Sequence, residues 1–177
     1  MGAALALALV LTACGGISRN DLEEESRRRG GGLGSTQPLA ALAAIEEEQG
    51  DPVRFTNLNA SLNSVTVTAL VPGSDDELDL WYHSNDDLRG PEPYPEAPPA
   101  NELRTQLIDP DDVALDRLDD IVDDAIETAD LRDGYASSLQ VTRFGAERTV
   151  IGVEVENERR SVTVRYRADG ERLEVVE

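Results

Sequence analysis

Lysine is absent. All 16 basic residues are Arg, against 36 acidic residues, which leaves a formal charge of −20 and a pI near 4.2. Such a chain has no basic face with which to displace counterions from phosphates, so nucleic acid is excluded as a partner. An anionic membrane surface repels it too, unless something covalent holds it there. Aromatics make up only 4% of the residues. The core therefore falls to Val, Leu, Ile and Ala, and a sugar-stacking cleft has little to be built from. There is one Cys, Cys14, and one His, His83. A lone Cys cannot form a disulfide within the chain, and one Cys with one His cannot supply the several ligands of a zinc site. No G-x-S-x-G surrounds any Ser. Gly30-Gly31-Gly32 has neither a strand before it nor a Lys after it, so it is no phosphate loop. No cofactor is expected.

What is present begins with an apolar run, GAALALALVLTA over residues 2–13. A spanning helix needs about 20 apolar residues. This run is shorter and matches the apolar region of a secretory signal. Leu11-Thr12-Ala13-Cys14 follows at once, then Gly15-Gly16. The tetrapeptide resembles the lipobox of bacterial lipoproteins, although the basic segment that usually opens such signals is reduced to Met1. The resemblance implies cleavage before Cys14, a diacylglyceryl group on its thiol and an acylated new amino terminus. Residues 1–13 are then a signal peptide, and the mature chain is held on the extracytoplasmic side of the cell membrane through acyl chains on Cys14. Two chains anchor stably where one binds marginally.

Residues 14–36 carry the lipidated Cys and a stretch with six Gly, mixed charge and few apolar residues, read as a disordered tether. Its Arg27-Arg28-Arg29 cluster reads either as a contact to headgroups or as part of a solvated spacer beside Glu23, Glu24 and Glu25. Two units are expected beyond it. Leu39-x-x-Leu42-x-x-Ile45 opens residues 37–89, and Leu115-x-x-Leu118-x-x-Ile121 opens the helix of residues 101–177. Each leads through a polar, turn-rich segment into alternating apolar positions: Val65, Val67, Leu78, Leu80 and Tyr82 in the first, Ile151, Val153, Val155, Val162, Val164 and Tyr166 in the second. Between them, residues 90–100 hold five Pro in the ten positions 90–99 and read as a stiff, extended linker. The expected class is α+β, two tandem helix-plus-antiparallel-strand units with helices packed on a sheet. This arrangement resembles the tandem α/β repeats of PepSY-type and β-lactamase-inhibitor-like domains, which implies proteins that mostly bind other envelope proteins rather than catalyse.

The second helix divides cleanly. Leu115, Leu118, Ile121, Val122, Ala125, Ile126 and Ala129 share one face; Asp116, Asp119, Asp120, Asp123, Asp124, Glu127 and Asp130 share the other. Residues 109–133 hold eleven acids and two Arg, a charge of −9, whereas residues 141–177 hold eight acids and seven Arg, about −1. The acids read as a diffuse face for solubility or for a basic partner. A calcium site is the alternative, although Asp109-Pro110-Asp111-Asp112 lacks the D-x-D-x-D-G pattern. His83 is placed at an exposed strand end. Trp81 and Tyr82 are neighbours on a strand and must face opposite sides, so one is core and the other a candidate contact. The functional expectation is a non-catalytic binding or structural module with a protein or peptide partner in the envelope, its candidate contacts being Asp116, Asp119, Asp120, Asp123, Asp124, Trp81 and Tyr82. The alternatives are a hydrolase using carboxylates or His83, and a calcium-responsive module.

Overall fold

The computed structural model describes residues 33–144 and 148–177. Chain order is helix α1 (Thr36–Gln49), strands β1 (Phe55–Ser61), β2 (Ser64–Leu70), β3 (Leu78–Ser84) and β4 (Asp87–Pro93), then the short helix α2 (Ala100–Gln106) and two 3-10 turns (Pro110–Asp112 and Leu115–Arg117). Helix α3 (Leu118–Ala129) and strands β5 (Tyr135–Phe144), β6 (Arg148–Glu156), β7 (Ser161–Arg167) and β8 (Arg172–Val176) complete it. All eight strands form one antiparallel sheet in the order β4-β3-β2-β1-β5-β6-β7-β8.

The chain is thus mixed α and β with strands dominating, and its two halves are not separable units. The reason is one non-local pairing. β1 lies antiparallel to β5 from Asn57↔Thr142 to Ser61↔Ser138 and joins two four-stranded meanders into a single sheet. The main core follows suit. Ile45, Leu58 and Val67 belong to the same buried cluster as Ile121, Leu139 and Val164. The two opening motifs are not equivalent either, because Leu39 is exposed while Leu115 is buried.

Helix α3 forms where the apolar stripe demands it, with Leu118, Ile121, Val122 and Ala125 buried and acids in its first turn, where the helix dipole favours them. Leu115 falls in the preceding 3-10 turn rather than in the helix. The proline-rich stretch does not form a free linker. Gly90 to Pro93 continue β4, which pairs with β3 through Leu80↔Glu92 and Asp79↔Pro93. Proline is tolerated there because an edge strand needs only the backbone groups that face its neighbour. Gly90 is required at that point, since its φ is +121° and a Cβ would meet the Leu80 carbonyl oxygen at 2.8 Å. Tyr94 and Ala97 then pack on a smaller cluster of Leu70, Leu78 and Leu103, which ties α2 to the end of the sheet.

Candidate functional site

Both long helices cover the same face of the sheet, α1 over β1–β3 and α3 over β5–β7. Side chains alternate along a strand, so the registers fix what the other face presents. One cross-strand row runs Tyr82, Thr66, Asn59, Gln140, Gly152, Arg165, Glu174. The next runs Leu80, Thr68, Asn57, Thr142, Val150, Arg167. The face opposite the two long helices is covered by α2 at its Leu70–Leu78 end, where Thr68 is buried too. The rest of these two rows is rich in hydroxyl and amide groups, with Arg165, Arg167 and Glu174 as their charges.

At β5–β7 this face holds a shallow depression of about 200 Å³, lined by Ser138, Gln140, Thr142, Glu154, Thr163 and Arg165 around Gly152. Gly152 puts no side chain into the hollow; a Cβ there would lie in ordinary van der Waals contact, 3.8 Å from Thr163. The walls are braced. Arg165 bonds Glu174 at 2.8 Å and lies 5.1 Å from the Phe144 ring centroid. Glu154 accepts from Ser138 Oγ at 3.2 Å and from Ser161 Oγ at 2.6 Å. Phe144 and Tyr82, at 55% and 41% exposure, are the large aromatic rings that stand out from this face.

The sequence-predicted residues divide. Leu11, Thr12, Ala13 and Cys14 lie outside the described residues. Trp81 is only 4% exposed and sits in the main core, so it is not available to a partner; Tyr82 points to the face opposite the long helices. His83 is buried, not exposed at a strand end, because it shares the Trp81 face and is registered against Val65 and Leu88. Ser84 turns the opposite way and donates to the Asn63 carbonyl at 2.9 Å, so Ser84 and His83 do not converge.

The α3 acids are no uniform face. Asp119 accepts from the backbone N–H and hydroxyl of Ser35, and Gly34 beside it leaves no room for a side chain. These contacts hold Gly34 and Ser35 against α3, next to the fully buried Leu33. Asp124 accepts the Tyr166 hydroxyl at 2.8 Å and the Arg172 guanidinium at 3.2 Å, and Arg172 also meets Thr128. Burial, followed by the Asp124 hydrogen bond and charge, pushes the Tyr166 phenol far above its ordinary range. Asp116, Asp120 and Asp123 remain exposed, with no ion pair among the described residues. Asp109 is spent capping its own turn, its carboxylate accepting from the Asp111 N–H at 3.2 Å. Among the described residues no three His, Cys, Asp or Glu side chains are grouped to hold a metal ion. No helix among them is long and apolar enough to cross a membrane.

No protein-family model matches the chain, and no curated protein matches it in sequence. Among solved structures, a crystal structure described as that of a "putative lipoprotein" from Clostridium difficile 630 superposes with a TM-score of 0.57 at 14% identity, over 77% of this chain and 89% of that one. At that identity the likeness is one of fold.

Proposed function

We propose that this chain is a lipid-anchored, extracytoplasmic binding module that presents the sheet face opposite its two long helices to another component of the cell envelope and performs no catalysis. The observation that carries the reading is the face itself. Beyond the end that α2 covers, it is a hydroxyl- and amide-lined surface with two projecting aromatic rings. Exposed aromatics in a polar surround are what a recognition surface offers. The lipobox-like Leu11-Thr12-Ala13-Cys14 supports the anchor. So does the description of the protein that shares the fold.

The test is a photoreactive side chain placed at Gln140 or Tyr82 in intact membranes, compared with one at exposed Glu47 on α1. The module reading predicts a discrete cross-linked adduct from both sheet positions and none from Glu47. Equal labelling at all three, or adducts from Glu47 alone, contradicts it.

A further inference from the structure

The two edges of the sheet differ. β4 carries Pro91 and Pro93 and cannot offer a continuous row of donors. Among the described residues β8 pairs only with β7; it contains no Pro and turns the alternate backbone groups of Arg172–Val176 outward. Two of the five exposed large hydrophobics among the described residues sit side by side in it, Val175 at 47% and Val176 at 37%. Val175 also ends an apolar row. Val153 and Val164 are fully buried beneath the helices, and the register carries that row onto Val175, where it stops at the edge.

Charge at this edge is balanced within one chain. Arg165 pairs with Glu174 at 2.8 Å, Arg167 with Glu171 at 2.9 Å, Arg160 with Glu177 at 3.4 Å and Arg172 with Asp124 at 3.2 Å. In a chain of −20 this is a place where a second copy brings no unpaired like charges against the first.

We infer that β8 docks on β8 of a second copy of this chain, antiparallel, about a two-fold axis normal to the sheet at Val175. Directly opposed residues in antiparallel strands share a face, so a symmetric pair must be centred on a residue. Centring on Glu174 sets Glu174 against itself, which is unfavourable. Leu173 lies at the β7–β8 register shift. Centring on Val175 sets Val175 against Val175 and Glu174 against Val176, and continues the Val153–Val164 row into the second copy.

The test uses the full chain with Cys14→Ala, so that Val175→Cys supplies the sole thiol and the outcome is independent of lipid anchoring. Opposed Cα atoms would lie about 4.5–5.5 Å apart, within disulfide range. At Leu173 the two copies' positions are four residues apart, roughly 13 Å. Mild oxidation is expected to give a disulfide-linked dimer from Val175→Cys and several-fold less from Leu173→Cys. Sedimentation of the Cys14→Ala chain is expected to show a concentration-dependent dimer that grows with salt, as screening weakens repulsion between two acidic bodies, and Val175→Lys is expected to leave a monomer. A monomer at every concentration, or equal cross-linking at 173 and 175, overturns the inference; a foreign strand on this edge would give that result.

Discussion

Replacing Phe55 by Ala is expected to lower the free energy of unfolding by about 3–5 kcal/mol. Phe55 has no solvent exposure and lies in β1, the strand through which the two meanders meet. Its backbone also exchanges hydrogen bonds with Ile108, at 3.1 Å from Phe55 N to the Ile108 oxygen and 2.7 Å in return. Truncation removes the largest apolar side chain of β1 and leaves a cavity between elements held on several sides, with little freedom to collapse. Urea unfolding should show a lower midpoint at an unchanged slope, and the melting temperature should fall by about 2–4 °C per kcal/mol. A loss below about 1 kcal/mol would mean that β1 does not sit at the centre of a shared core.

The second large effect is expected at Asp124. Asp124→Ala leaves the buried Tyr166 hydroxyl without its acceptor and the Arg172 guanidinium with Thr128 but no carboxylate, and should cost about 1.5–3 kcal/mol. Tyr166→Phe removes one partner without stranding a charge and should cost about 0.5–1.5 kcal/mol. The two losses should not add, since they share one network. The pair also fixes an alkaline limb. The Tyr166 phenol is raised above its ordinary value of 10.0, first by burial and then by Asp124, so the fold favours the neutral form. Its contribution is complete below the unfolded value and is lost as pH rises beyond it. Urea midpoints should therefore fall above about pH 10, and fall less in Tyr166→Phe. Identical alkaline slopes in the two proteins would contradict the network.

What was legible in the chain was local. The α3 stripe from Leu118 to Ala125 and the alternation of β6 and β7 each state their buried face within a dozen residues. β1 was not legible, because a register shift between Phe55 and Asn57 breaks the alternation and Asn57 and Asn59 read as loop. β4 was hidden by its prolines. His83 carried a usable signal, since it stands two residues from Trp81 and so shares its face. The merging of two expected units could not be read at all. It depends on β1 meeting β5 about eighty residues away, and no local pattern encodes that register. The candidate face was out of reach for the same reason. Thr66, Asn59, Gln140 and Arg165 are unremarkable polar residues until the sheet sets them in one row. Tyr82 alone stood out, through its opposition to Trp81. Asp119 and Asp124, grouped by sequence with a surface face, are instead used to tie Ser35 and the β7–β8 edge to α3.

The anchor is the claim on which location and partner class both rest, and one measurement reaches it directly. Cells expressing the full chain are fed radiolabelled palmitate, membranes are separated from the soluble fraction, and the result is compared with Cys14→Ala. The account predicts label on the membrane-bound protein, and neither label nor membrane retention in the variant, because no acyl chain then offsets the repulsion of a −20 protein from an anionic bilayer. Recovery of the unsubstituted chain unlabelled from the cytosol, with residues 1–13 still attached, would contradict it.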